Sequence, residues 1–284
     1  MSDSIREALA EGTQVLQSAG ITDPQMDAVL LLTHALGVDR TFVIINPTNE
    51  LSEEQIRMFR ELIARRSRRE PLQYIVGQRE FYELSFEVTQ AVLIPRPETE
   101  IIVDAALDLM KDVPAPFIAD IGTGSGCIVI SLLHRLRDAH AIATDISANA
   151  LRVARRNARR HGVSDRLALI QSDLFSAFET RAEFSLIVSN PPYVPEADIE
   201  TLQPEVRDYE PLPALVAGAD GLSHISVLLR DLPPFLLDSG YLIFEIGFGQ
   251  RDAVRELIDS AVWKLIDIRN DLQAIPRTFV LQKR

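Results

Sequence analysis

The chain has 284 residues, 46% hydrophobic and 25% charged, a composition that fits a folded protein of one large domain or two smaller ones. Its formal charge of -12 argues against a general nucleic-acid binder, which needs Lys and Arg to displace phosphate counterions, so no direct nucleic-acid partner is expected. Cys127 is the single cysteine and the five histidines are scattered, which leaves no internal disulfide and no zinc spacing; no metal is expected.

Met1 to Arg6 lack the apolar core of a secretion signal, and no apolar run is long enough to span a bilayer, so a cytoplasmic protein without membrane partners is expected. Residues 1–70 read as a small helical bundle. Asp23 caps a helix with Pro24 at its first position, Met26, Val29, Leu30, Leu32 and Leu36 follow helical spacing, and Gly37 stops it. Ser52, with Glu54 and Gln55 behind it, opens a second helix whose stripe is Ile56, Phe59, Leu62 and Ile63. From residue 72 to 94 the pattern is extended: Tyr82, Leu84, Phe86 and Val88 alternate with Glu83, Ser85 and Glu87, with turns offered at Gly77 and Thr89-Gln90, which suggests a hairpin. Pro95-Arg96-Pro97 breaks it, and Glu98-Thr99-Glu100 opens a helix through Leu109.

Beyond residue 115, apolar strands at Phe117–Ile121, Ala139–Thr144, Leu167–Gln171, Phe184–Val188 and Tyr241–Ile246 alternate with helices near residues 130, 153, 225 and 254. That alternation predicts an α/β fold with a mostly parallel sheet covered on both faces. The last runs, Trp263–Ile268 and Thr278–Leu281, are joined by too short a loop for a parallel crossover and should pair antiparallel.

Between the first strand of this series and its helix lies Asp120-Ile121-Gly122-Thr123-Gly124-Ser125-Gly126. Glycines let the backbone turn sharply and let a ligand approach it, which suits Gly122, Thr123, Gly124, Ser125 and Gly126 to a nucleoside cofactor; a plain strand–helix turn is the alternative. Asp145 ends the second strand, where a carboxylate can take both hydroxyls of a ribose or cap the next helix. Asp173 ends the third, placed to accept from an adenine amino group with Leu174 packed on the ring, or to serve as a loop carboxylate.

The most informative stretch is Ser189-Asn190-Pro191-Pro192-Tyr193, at the carboxyl end of the strand Phe184–Val188. Proline fixes φ and has no N–H, so the loop offers carbonyl acceptors from a stiff backbone, and Asn190 adds an amide oxygen. Two acceptors aimed at one NH2 group fix its plane, and Tyr193 can stack on it. The combination of glycine turn and slot points to methylation of a planar nitrogen, with Asn190, Pro191, Pro192 and Tyr193 as the catalytic loop.

These residues resemble the protein N(5)-glutamine methyltransferases of the HemK/PrmC type, which modify peptide chain release factors. The resemblance is carried by Pro71 to Gly77 with Glu80-Phe81, by Leu93 to Glu100, by Gly122 to Gly126, by Ser189 to Tyr193, and by Arg207 to Pro211, Gly221-Leu222 and Phe244 to Gly247. It implies an N-terminal helical bundle for substrate docking (1–70), a β-hairpin linker (71–94) and a seven-stranded class I, Rossmann-like methyltransferase sheet (95–284). It implies S-adenosyl-L-methionine as cofactor, contacted by Gly122 to Gly126, Asp145, Leu174 and Asn190. It implies as substrate and partner the glutamine of a Gly-Gly-Gln loop on a class-1 release factor, held by Asn190 to Tyr193. Leu174 departs from the larger ring frequent in the family, so aliphatic packing takes the place of stacking.

Two other enzymatic readings remain at this point, beside a non-enzymatic module whose pocket binds cofactor without turnover. The same Asn-Pro-Pro-Tyr arrangement serves DNA adenine amino-methyltransferases, against which the acidic charge and the lack of an obvious DNA-recognition insert count. A dinucleotide oxidoreductase would use the glycine turn and Asp145 and leave Asn190 unexplained. The basic cluster Arg57, Arg60, Arg65, Arg66, Arg68 and Arg69 reads as a solvated helix end ahead of a contact with an acidic face of the partner.

Overall fold

The computed structural model describes residues 4–178 and 183–284; the first three residues of the expected helical region, and residues 179–182, lie outside the described part. The chain divides into a helical unit, ending at Gly77 but taking back Gln203–Tyr209, and a sheet unit formed by the rest.

In the helical unit, Ser4 and Glu7 form a reciprocal cap on α1 (Ile5–Ser18), Asp23 accepts from the Met26 N–H at the head of α2 (Pro24–Leu36), and Asp39 does the same for α3 (Arg40–Ile45). Ser52 and Gln55 close a second capping box on α4 (Glu53–Ser67). Capping of this type is worth about 1 kcal/mol per helix. Leu16, Leu31, Leu32, Phe59 and Ile63 meet in the centre, each burial contributing about 1.5–3 kcal/mol. The expected extended segment begins instead with a short helix, α5 (Leu72–Val76), ended by Gly77 in the left-handed conformation. The basic cluster is not simply solvated. Arg66 is buried and bonds Asp27 (2.7 Å) and Glu205 (3.0 Å), Arg69 also reaches Glu205 (2.8 Å), and Arg60 and Arg65 pair with Glu11 and Glu70. Glu205 arrives on α9 (Pro204–Arg207), a segment that returns to this unit from far along the chain.

The sheet unit begins with an antiparallel hairpin, β1 (Gln78–Phe81) and β2 (Leu84–Glu87). Tyr82 and Glu83, expected in a strand, form the two-residue turn, both at positive φ (48° and 63°). The Tyr82 N–H donates to Glu100 (2.8 Å) and its hydroxyl to Asp104 (2.8 Å), which holds a turn that lacks the usual Asn-Gly. Both partners lie on α6 (Glu100–Met110).

Next come β3 (Phe117–Ile121), α7 (Cys127–Arg135), β4 (His140–Asp145), α8 (Ala148–Arg160), β5 (Leu167–Gln171), β6 (Phe184–Ser189), α10 (Ser223–Asp231), β7 (Leu236–Glu245), α11 (Arg251–Leu257), β8 (Trp263–Asn270) and β9 (Pro276–Lys283). They build one seven-stranded sheet in the order β5-β4-β3-β6-β7-β9-β8. Neighbours from β5 to β7 are parallel, and β9 is antiparallel to both β7 and β8. The two terminal runs thus pair as expected. Apolar cores lie in two clusters, one around Ile102, Ile130 and Leu133, the other around Leu228, Phe244 and Trp263.

The order reverses at β3: β4 follows on one side and β6 on the other. A crevice opens at such a switch point, beyond the carboxyl ends of the strands. Ile121 sits opposite both Thr144 and Ser189, so Gly122, Asp145 and Asn190 leave the sheet at one level. The Ser189 hydroxyl donates to the Ile121 carbonyl (2.8 Å) and ties the two exits together.

Candidate active site

The glycine turn is built on backbone bonds to β4. The Gly122 and Thr123 N–H groups both donate to the Thr144 carbonyl (2.9 and 2.8 Å), and the Gly126 N–H to Thr123 (2.8 Å). Gly122 and Gly124 have φ of +74° and +55°, and a Cβ on either would meet nothing within 4 Å. They therefore border open space, the cradle a ligand backbone contact needs. A Cβ on Gly126 would lie 2.7 Å from Ile130 Cδ1, so that glycine serves helix packing. Asn157, fully buried on α8, donates to the carbonyls of Ser125 (2.9 Å) and Glu87 (3.0 Å) and accepts from the Glu87 N–H (2.8 Å). The hairpin thus braces the turn.

Asp145 accepts from the Gly124 N–H (2.9 Å) through one oxygen and from the Ser147 N–H (2.8 Å) through the other. Each oxygen keeps a second lone pair, so the carboxylate is anchored and still able to take hydroxyl donors. The cap of α8 is Ser147, not Asp145. Burial raises the Asp145 pKa, opposed by those two N–H groups. Asp173 is exposed in the loop after β5, and its charge opposes the burial that lowers the pKa of His224. Leu174 is half-buried at φ +50°, a costly conformation for its side chain; the Thr144 hydroxyl holds its carbonyl at 2.9 Å.

Asp120 was not singled out for a role from the sequence. It is fully buried at the end of β3, with one oxygen accepting from the Thr123 hydroxyl (2.6 Å) and the other, Oδ1, without a hydrogen-bond partner. Burial pushes its pKa up to about 7; Thr123 and the Val129 amide favour the charge, and Asp145 opposes it. A buried carboxylate oxygen without a partner is costly and calls for an explanation.

At the exit of β6, Asn190 donates its Nδ2 to the Thr99 hydroxyl (3.0 Å), and Thr99 donates to Glu245 Oε2 (2.6 Å). The Tyr193 hydroxyl donates to Glu245 Oε1 (3.1 Å). Glu245 is fully buried, and burial raises its pKa, against the pull of Thr99, Tyr193 and Arg277. Among the described residues, Asn190 Oδ1 and the Pro191 carbonyl accept no hydrogen bond, so both remain acceptors. The Tyr193 carbonyl is not available: Gln250 Nε2 takes it at 3.0 Å, and the same side chain accepts from the Gly247 N–H (2.8 Å). The stiff loop therefore offers fewer free carbonyls than the prolines alone suggest. Glu210 accepts from the Ile94 N–H (3.3 Å) and from Arg96 (2.5 Å).

The structure thus brings Gly122 to Gly126, Asp145 and Asn190 to the same rim of the sheet. Thr99, Asp120, Glu245 and Gln250 were missed as site residues, though Glu245 carried a signal: it is a carboxylate directly after the buried apolar run Leu242 to Phe244. Among the described residues no cluster of side chains suits a metal ion, and no helix is long and apolar enough to cross a membrane.

Residues 7–77 match the PrmC N-terminal domain model, and residues 103–203 match the methyltransferase small domain model. The chain is 38% identical over 283 residues to the release factor glutamine methyltransferase of Nitratidesulfovibrio vulgaris, covering 99% of this chain and 95% of that one. It is 43% identical over 251 residues to that of Geobacter sulfurreducens, covering 88% and 87%. Among solved structures, the hMettl16 catalytic domain aligns with TM-score 0.59 at 18% identity over 78% of this chain and 82% of that one. A methyltransferase from Pyrococcus furiosus aligns at 0.50 and 16%, over 70% and 88%. At these identities the structural likeness is one of fold. The sequence relatives set aside the oxidoreductase reading.

Proposed function

The chain belongs to the release factor glutamine methyltransferase family and is a methyltransferase, and on that footing we propose that it transfers a methyl group from S-adenosyl-L-methionine to the side-chain amide nitrogen of the glutamine in the Gly-Gly-Gln loop of class-1 release factors, supporting translation termination. The observation that carries this reading is the pair of free acceptors, Asn190 Oδ1 and the Pro191 carbonyl, at the strand exit beside the glycine cradle.

The residues fit the cofactor. Gly122 and Gly124 border open space, and Asp120 and Asp145 make the crevice electronegative, as a ligand bearing an ammonium and a sulfonium requires. Gly122 to Gly126 would hold its amino-acid portion, with Asp120 Oδ1 toward the ammonium. Asp145 would take the ribose hydroxyls, Asp173 the adenine amino group, and Leu174 the adenine face. Bound there, the cofactor supplies an electrophilic methyl carbon.

An amide nitrogen is a poor nucleophile because its lone pair is shared with the carbonyl. Two acceptors on its N–H bonds hold the NH2 plane and orient that lone pair, and Tyr193 covers the flat face. Orientation of this type lowers barriers by about 7–11 kcal/mol. The nitrogen would bond to the methyl carbon as the carbon–sulfur bond breaks, the sulfonium leaving as a neutral thioether, and one proton would then go to solvent, so no strong base is needed. The N-terminal helical unit is proposed to dock the release factor.

The test is labelled S-adenosyl-L-methionine with purified release factor and mass spectrometry of the loop. The expected product is one methyl on the glutamine. Asn190→Ala should lower kcat by about 100-fold or more, with cofactor affinity kept within a few-fold. Label on duplex adenine instead, or full turnover in Asn190→Ala, would refute the reading.

A further inference from the structure

The Asn190 carboxamide has nearly the same shape at its oxygen and its nitrogen, and the function proposed above requires the oxygen to face the substrate. Something must choose between the two orientations. Proline neighbours fix the backbone but leave the last torsion of this side chain free to turn. Thr99, which directly precedes α6, and Glu245, which ends β7, are both about 2% exposed and meet behind Asn190.

We propose that Glu245 and Thr99 form a relay that sets the direction of the Asn190 amide, which makes them positioning residues for methyl transfer. The proposal rests on the function given above. The direction follows from counting protons. A carboxylate only accepts. Tyr193 gives its single hydroxyl proton to Oε1, and Thr99 gives its single proton to Oε2 at 2.6 Å. The Thr99 oxygen then has only lone pairs left for the group 3.0 Å away, and that group must be Asn190 Nδ2. A turned amide would set oxygen against oxygen and leave the NH2 pointing at the substrate's own NH2, two donors face to face. Burial of Thr99 and Glu245 keeps water from rescuing the mismatch on their side. The count holds for the charged carboxylate, whose pKa burial raises and whose charge the Thr99 and Tyr193 hydroxyls and Arg277 favour.

The test compares Thr99→Val, which keeps the shape and removes the hydroxyl, with Thr99→Ser, which keeps the hydroxyl. Thr99→Val should lower kcat about 10- to 100-fold, as loss of groups that orient a reacting ligand from behind does. KM for the release factor and cofactor affinity should stay within about threefold of wild type, and Thr99→Ser should restore most of kcat. Glu245→Gln should lower kcat on its own yet add little in the Thr99→Val background, because the two act as one unit. In 15N-labelled protein without substrate, the Asn190 NH2 resonances, assigned by their loss in Asn190→Asp, should move in Thr99→Val and Glu245→Gln and stay in place in Thr99→Ser. Thr99→Ala replaces Thr99→Val should the latter not fold. Unmoved resonances in Thr99→Val, a kcat near wild type, or a full additional loss in the double variant would overturn the relay. A wild-type protein that methylates no release factor would instead overturn the function, and the resonances would still decide the relay.

Discussion

Asp120 sets stability against binding, and Asp120→Asn separates the two. In the folded protein its proton is held up to about pH 7 against an ordinary 3.8. The folded form therefore binds the proton more tightly than the unfolded chain. The contribution of this group to stability is greatest below about pH 4 and is lost as the pH rises through 7, where the charge must sit in the core. That interval of about three pH units, at about 1.36 kcal/mol each, puts a ceiling of about 4 kcal/mol on the destabilisation at pH 8. Asn keeps an oxygen for the Thr123 hydroxyl. Its NH2 replaces the partnerless oxygen and, unbonded, gives back about 1–3 kcal/mol. Asp120→Asn should thus be more stable than wild type by about 1–3 kcal/mol at pH 8 and no more stable at pH 5. Cofactor binding should move the other way: loss of a hydrogen bond to a charged group, about 1.5–3 kcal/mol, weakens S-adenosyl-L-methionine about 10- to 100-fold. Urea unfolding at the two pH values and titration calorimetry with the cofactor read both effects. A variant less stable than wild type at pH 8 would show that the carboxylate is not strained. An unchanged cofactor affinity would show that Oδ1 does not face the ligand.

Gly221→Ala places a Cβ 2.3 Å from the Tyr193 carbonyl at φ +75°, so the Asn190–Tyr193 loop must shift; steady-state kinetics should show kcat reduced about tenfold or more. Asn157→Ala strands the Ser125 carbonyl and both Glu87 backbone groups, and the urea midpoint should fall by the equivalent of about 2–5 kcal/mol. Glu205→Gln loosens Arg66 and Arg69 within the helical unit, and a loss of about 1–3 kcal/mol is expected in the melting transition.

Much of the sheet was legible because a buried parallel strand is a short apolar run and its helix a 3.6-residue stripe. Five strands and the antiparallel terminal pair could be placed on that basis. The start of β7 was not: Leu236 pairs with Phe184 and Tyr241 with Leu186, so an irregularity interrupts the register and hides the first half of the strand. The hairpin turn was not, because Tyr82 and Glu83 do not advertise positive φ and are held by Glu100 and Asp104 from elsewhere. Of the proposed site, Gly122 to Gly126, Asp145 and Asn190 were visible as local motifs at strand ends, whereas Asp120 was not, because its missing partner shows only in the folded chain. The groups behind them were not, because Thr99 and Glu245 lie 146 residues apart and meet only when β7 pairs with β6 at Ser189 and Phe244.

The pairing of β3 with β6 bears on how the proposed transfer geometry would be kept. The two exits of β3 and β6 belong to adjacent strands, whose spacing is fixed at about 4.8 Å by backbone hydrogen bonds. The Ser189–Ile121 bond locks their register at the last rung. On the proposed reading, cradle and slot leave the sheet on adjacent strands, so their separation is set by the ladder and not by a loop. What the sheet cannot fix is the rotation of a side-chain amide, a torsion with two nearly equal minima. That freedom is removed only by a proton count running back to a buried carboxylate on the next strand, β7. The expensive burial of Glu245, which an apolar residue would avoid, is intelligible on those terms.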